Sequence, residues 1–213
     1  MNPPRSLYSR LVKRLLDLGA SAVLMILLAP LMLVTWMAVR LVLGKPALYR
    51  EQRAGLGGRP FEIAKFRSMT SATGPDGQLL PDAERLGGFG RFLRRTSLDE
   101  LPQLFSVLAG DMSLVGPRPL PLRYVERYTP RQATRLLVRP GITGWAQIHG
   151  RNAVAWPERL EYDAEYVERL GRWTAPATDS WIVLATVVQI VSQAVTGRGV
   201  SAPGVATMQE FRP

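Results

Sequence analysis

Between Leu18 and Val39 the chain reads LGASAVLMILLAPLMLVTWMAV, 22 residues with no charge among them. At about 1.5 Å of rise per residue, such a helix matches a hydrocarbon core of roughly 30 Å, so the stretch is read as a membrane segment. A secretory signal would also follow basic residues such as Arg5, Arg10, Lys13 and Arg14, but the apolar run exceeds the usual signal core and no small-x-small cleavage site follows it. Pro30 lies near the centre, where it removes a backbone donor and crowds the preceding turn, so a bend or break is expected at Ala29 and Pro30. On the far flank stand Arg40, Lys45, Arg50 and Arg53, so both flanks are basic and the positive-inside rule selects neither for export. A kinked spanning helix and a re-entrant one that returns to the same face both satisfy these residues.

From Lys45 onward the composition becomes that of a soluble domain punctuated by Gly and Pro, with a strand at Phe61 to Phe66. Helices are predicted at Ser97 to Leu108, Leu120 to Tyr128, Pro157 to Leu170 and Asp179 to Val195. The last aligns Leu184, Val187, Val188, Val191 and Val195 on one face; it either packs into the core or lies in a membrane interface, and the pattern favours the core. The domain division read from this is residues 1–44 for the membrane helix, 45–199 for a globular domain and 200–213 for a tail. A net charge of +10 favours anionic partners. The segment RLGGFGRFLRR at 85–95 mixes Phe and Arg in a way that suits anionic headgroups, and an adjacent membrane helix makes nucleic acid the poorer reading. With no cysteine and His149 as the single histidine, thiolate chemistry and His-rich zinc sites are excluded.

Asp99 and Glu100 stand side by side in TSLDELPQLF, just behind Arg94 and Arg95. Ser97 with Glu100 three positions later matches a capping box, which would give the acids only a helix to start. Lys65, Arg67, Arg94, Arg95 and Arg118, however, supply cations able to gather around a phosphate ester. An ionised Asp can attack phosphorus to form an acyl phosphate, and Mg²⁺ bridging Asp99 and Glu100 to the phosphate would relieve the charge repulsion. Adjacent helical residues diverge by about 100°, so the two acids cannot act identically.

Three segments, KFRSM at 65–69, RRTSLDELPQLFSVLAGDMSLVGPRP at 94–119 and RPGITGWAQIHGRN at 139–152, carry a further reading. Through them the chain resembles the monotopic phosphoglycosyl transferases of the bacterial sugar transferase family, in their small form. The resemblance implies an α/β, mostly helical fold: a small globular cytoplasmic domain with a proline-kinked re-entrant helix and interfacial amphipathic helices, on the cytoplasmic face of the bacterial inner membrane. It implies transfer of a sugar 1-phosphate from a UDP-sugar to a polyprenyl phosphate such as undecaprenyl phosphate, with release of UMP, at the start of glycoconjugate assembly. Asp99 matches the nucleophile and Glu100 the second acid, assigned to Mg²⁺ and electrostatic organisation. Lys65 and Arg94 match basic positions near the phosphates, and Pro117, Arg118 and Pro119 the element associated with the uridine nucleotide. Gln147 and Arg151 fall in matching segments as pocket candidates, and Asn152, Asp163 and Tyr166 as pocket or structural ones.

Gly141, Gly144 and Gly150 read as turn residues, Trp145 as a packed aromatic, His149 as a polar loop residue and Asp111 as a turn residue. The family's re-entrant helix commonly breaks at a Ser-Pro pair, whereas Ala29 here has no hydroxyl for the freed carbonyls. Thr35 and Ser21 are the hydroxyls nearest the break, each a turn or more away. Two rivals remain at this point: a membrane-attached glycosyltransferase that releases UDP, and a non-enzymatic anchor for anionic lipid.

Overall fold

The structure, a computed structural model, describes residue 4 and residues 6–150, 154–196 and 210–211. Among these the fold is mostly helical. A π-helical turn (Tyr8–Val12) leads into α1 (Lys13–Val42). There follow α2 (Asp82–Arg85), α3 (Gly88–Arg95), α4 (Gln103–Ala109), α5 (Pro130–Ala133), α6 (Trp145–Ile148), α7 (Trp156–Leu170) and α8 (Ala175–Thr196). Four strands, β1 (Leu48–Ala54), β2 (Pro60–Phe66), β3 (Ser113–Val115) and β4 (Gly141–Thr143), form two small sheets.

Helix α1 buries Lys13, Asp17, Ser21, Thr35 and Val39. At about 100° per residue these positions share one face. At the N-terminal end the Lys13 ammonium meets Asp179 at 2.7 Å, and Asp17 accepts the Leu114 amide at 3.1 Å. Arg14 donates to the carbonyls of Val107 and Leu108, the C-terminal end of α4, where a cation is favoured. At the other end Val39 packs with Ala47, Phe66 and Leu93, while Arg67 donates to the carbonyls of Leu43 and Lys45. Both ends of α1 therefore rest on the same domain. The opposite face, with Val23, Ile26, Leu27, Leu33 and Val34, is exposed and apolar. Helical assignment continues through Ala29 and Pro30, so the proline does not divide the segment into two helices. The Thr35 hydroxyl bonds the Leu31 carbonyl at 2.8 Å, and Ser21 Oγ is buried without a partner, so neither serves the proline turn.

The β1–β2 pair is an antiparallel hairpin with Leu48 opposite Phe66 and Ala54 opposite Pro60, closed by Gly57 and Gly58 at positive φ. The β3–β4 pair is parallel, and its glycines explain how two such short strands cross so closely. A Cβ on Gly141 would lie 2.1 Å from the Gly116 nitrogen, and one on Gly144 would lie 2.1 Å from the Gly116 oxygen. Gly141 and Gly144 thus serve close backbone approach rather than turns, while Gly150, with φ +130°, is a turn residue.

Helix α7 starts at Trp156 with Pro157 inside its first turn, and buries Leu160, Asp163, Ala164, Val167 and Leu170 at helical spacing. Helix α8 is longer than predicted, and its orientation corrects the sequence reading. Leu184, Val187, Val188, Val191 and Val195 are exposed, whereas Ala175, Asp179, Ile182 and Gln193 are buried. The face that packs carries the aspartate, because Asp179 has Lys13, Tyr8 and Tyr166 to satisfy it. Trp173, 91% exposed, stands just ahead of α8 and Trp181 on its outer side. Among the described residues the two helices long and apolar enough to cross a membrane are Tyr8–Val42 and α8. The predicted helix at 120–128 is a 3₁₀ run (Leu122–Arg127).

Candidate active site

The predicted capping box does not form. Ser97 adopts a left-handed conformation with φ 55° and makes no side-chain cap, so α3 stops and a separate 3₁₀ turn (Leu98–Glu100) begins. Helix α4 starts only after Pro102. Leu98 and Leu101 pack on the cluster that holds the C-terminal end of α1, which fixes the turn between them.

Within that turn the two acids differ sharply. The Glu100 carboxylate takes the Lys65 ammonium at 2.9 Å and Arg118 at 2.6 Å. Burial opposes its charge, but Arg118 and Lys65 outweigh burial and hold the carboxyl well below the ordinary range. Asp99 is only 8% exposed, and its carboxylate has no hydrogen bond or ion pair among the described residues. Burial, then the neighbouring Glu100 charge, pushes its pKa up to about 6, against the pull of Lys65, Arg94 and Arg118. Asp99 remains mostly ionised at neutral pH, because the nearby cations offset part of the cost of its burial.

The cations are positioned by tight backbone packing. A Cβ on Gly90 would fall 1.8 Å from the Ser68 carbonyl, so α3 lies directly on the 65–69 segment and Arg94 Nε reaches Ser68 Oγ at 3.0 Å. Arg118 follows β3, where the Gly116 amide bonds Thr143 at 2.8 Å and the Pro117 carbonyl accepts the Gly141 amide at 2.9 Å. The Arg118 carbonyl accepts from Arg135 at 2.5 Å, and Arg135 is paired with Asp163 at 2.9 Å in a fully enclosed ion pair.

Lys65, Arg94, Asp99, Glu100 and Arg118 therefore come together. Arg67 does not join them, since it closes the end of α1, and Arg95, whose Nε is buried without a partner among the described residues, forms no ion pair with either acid there. Gln147 is buried against the strand crossing, donating to the Ile142 carbonyl at 3.3 Å, with its oxygen unpartnered. Asp163 and Tyr166 are structural: Tyr166 bonds the Val115 carbonyl and Asp179. Arg151 and Asn152 lie outside the described residues. His149 donates from Nδ1 to the Trp145 carbonyl and stacks on Tyr162, a loop residue as predicted. Arg135 was absent from the sequence reading; nothing local in TRLLVRP distinguishes it from a surface arginine.

One clamped carboxylate, one unpartnered carboxylate and three cations, on a domain carrying a long apolar helix, make a group-transfer site suited to a phosphate ester. The chain belongs to the bacterial sugar transferase family, whose sequence profile matches residues 8–193. It is 50% identical over 158 residues to an uncharacterized sugar transferase, EpsL, of Bacillus subtilis, covering 74% of this chain and 78% of the relative. A UDP-glucose:undecaprenyl-phosphate glucose-1-phosphate transferase of Caulobacter vibrioides is 42% identical, over 84% of this chain and 70% of that protein. An undecaprenyl-phosphate galactose phosphotransferase of Salmonella typhimurium is 41% identical over 78% of this chain, which spans 38% of that longer protein.

Proposed function

We propose that the chain transfers a sugar 1-phosphate from a UDP-sugar to undecaprenyl phosphate and releases UMP, as an early membrane step of glycoconjugate assembly. The observation that carries this reading is the division of labour in the acid pair: Glu100 is held by Lys65 and Arg118, and Asp99 is left unpartnered. An Asp99 carboxylate oxygen bonds to the β-phosphorus of the donor while the bond to the bridging oxygen of the UMP leaving group breaks. A phosphate oxygen of the lipid then bonds to the same phosphorus, the acyl-phosphate bond breaks, and the carboxylate is regenerated. Arg118, Lys65 and Arg94 stabilise charge on the phosphoryl oxygens during both displacements.

Among the described residues no cluster of three acidic or histidine ligands occurs. Two adjacent carboxylates, one of them open, fit Mg²⁺, which is commonly held by one or two carboxylates with phosphate oxygens and water. Bound there by Asp99 and Glu100, Mg²⁺ would neutralise phosphate charge facing the nucleophile.

The decisive experiment incubates a panel of UDP-sugars with Mg²⁺ and undecaprenyl phosphate. UMP is expected as the stoichiometric product, with phosphosugar on the Asp99 peptide when the acceptor is withheld; UDP as the product would discard the mechanism. Donor kcat/KM is also expected to fall about tenfold per pH unit below about 6, because the nucleophile must be ionised. Glu100→Gln removes one cause of the raised pKa, so the residual activity should show its acid limb at lower pH. An unmoved limb would detach that limb from Asp99.

A re-entrant mount on the cytoplasmic face completes the proposal. Its support is that Lys13 and Val39, at opposite ends of α1, both pack on one globular domain, and that both flanks are basic. The outward apolar faces of α1 and α8 and the exposed Trp173 suit an interface. Cysteines introduced at residues 2 and 45 of this cysteine-free chain should label from the same side of sealed vesicles, whereas opposite accessibility would require a spanning helix.

A further inference from the structure

Phe211 lies beyond α8 and is 2% exposed, among the most enclosed aromatic side chains described. Its ring meets Tyr124, Tyr128 and Trp156 at centroid distances of 5.6, 6.0 and 5.5 Å, and it packs in one cluster with Leu120 and Leu160. Its backbone is held as well. The Phe211 amide donates to the Tyr124 hydroxyl at 3.1 Å, and its carbonyl accepts from Arg127 at 2.6 Å. The Glu210 carboxylate beside it takes Arg123 and Arg127, each at 3.1 Å.

Two routes run from this ring to Arg118. The first is covalent: Leu120, which packs against Phe211, is two residues from Arg118, and its carbonyl accepts the Ala54 amide at 3.0 Å. The second passes through Tyr128, whose ring lies against Phe211 and whose hydroxyl accepts from Arg135 at 2.8 Å. Arg135 in turn donates to the Arg118 carbonyl at 2.5 Å. The backbone of the 117–120 segment is thus fixed on two sides by groups that Phe211 supports. The Arg118 side chain meanwhile reaches Glu100, next to Asp99.

We infer that Glu210 and Phe211 form a clasp that positions the Pro117–Leu120 segment, and with it the Arg118 guanidinium, for the phosphates of the nucleotide donor. Phe211 is a positioning residue, since it acts through Leu120, Tyr128 and Arg135. The donor-facing role of Arg118 rests on the proposed transfer reaction; the clasp itself does not.

The test uses the full chain in lipid nanodiscs, comparing wild type, Phe211→Ala and the milder Phe211→Leu. Amide hydrogen exchange at Ala54 and Gly141, which donate to the Leu120 and Pro117 carbonyls, is expected to quicken about tenfold in Phe211→Ala while the rest of the β1–β2 hairpin keeps wild-type exchange. Donor KM should rise about tenfold with the KM for undecaprenyl phosphate unchanged, and Phe211→Leu should fall between. If the alanine variant does not accumulate folded, the leucine variant carries both readouts. Wild-type exchange at Ala54 and Gly141 overturns the clasp; so does a lowered Tm with unchanged donor KM in a variant whose wild type turns over. Should the wild type release no UMP from any UDP-sugar, the transfer reading falls, and the exchange result alone decides the clasp.

Discussion

Asp99→Asn is expected to lower turnover by at least about 10⁴-fold while leaving the protein folded and, unusually for a buried site, more heat-resistant. The loss follows because an amide oxygen cannot form the acyl phosphate, and the other carboxylate of the pair, Glu100, is held by Lys65 and Arg118. The gain follows from the raised pKa. An acid whose folded pKa lies above its unfolded value favours folding when protonated; that contribution is complete below about 4 and is lost as pH rises through about 6. At neutral pH the charged Asp99 therefore weighs against folding, by on the order of 2 kcal/mol, and the neutral Asn removes that cost. For a chain of this size the Tm should rise by roughly 5 °C. Thermal unfolding at pH 7 and at pH 4.5 checks the sign, since the advantage should shrink at the lower pH. Full activity in the Asn variant would end the case for Asp99 as nucleophile.

The largest expected loss of stability is at Asp179. Its carboxylate binds Lys13 at 2.7 Å and Tyr8 at 2.7 Å through one oxygen, and Tyr166 at 2.9 Å through the other. Tyr166 also holds the Val115 carbonyl at the end of β3, so one side chain joins the N-terminal segment, α7, α8 and the strand crossing. Asp179→Ala leaves an enclosed ammonium without its counter-ion, the Tyr8 hydroxyl short of an acceptor and the Tyr166 hydroxyl with the Val115 carbonyl alone, a loss of about 3–5 kcal/mol. A Tm lowered by roughly 10 °C is the expected result. Asp179→Asn, which keeps acceptor and shape but not charge, should lie between. An alanine variant melting with the wild type would show that this network does not hold the N-terminus to the domain.

What the sequence made legible was what has a long or local signature. Twenty-two uncharged residues announced α1, and Pro157 with its downstream apolar spacing announced α7 within a residue. The acid pair and its cations stood out because carboxylates and arginines rarely crowd together without reason. Other features depend on partners far along the chain. Ser97 fits a capping box as text, yet its left-handed backbone is set by Leu98 and Leu101 docking beside α1. The apolar stripe of α8 was correctly found but assigned to the wrong side, since periodicity identifies a face and not what covers it. Strands β3 and β4 have three residues each, too few for any alternation to register. As cations able to gather at the acid pair, Arg67 and Arg118 read alike before the resemblance singled out Arg118; the fold sends one to the carbonyls ending α1 and the other to Glu100.

The grip of one domain on both ends of α1 has a bearing on the lipid environment. A spanning helix must tilt, stretch or thin its surroundings when bilayer thickness changes. On the re-entrant reading, the height of Asp99 above the acyl chains is a dimension internal to the protein, so catalysis should be indifferent to acyl length in the far leaflet.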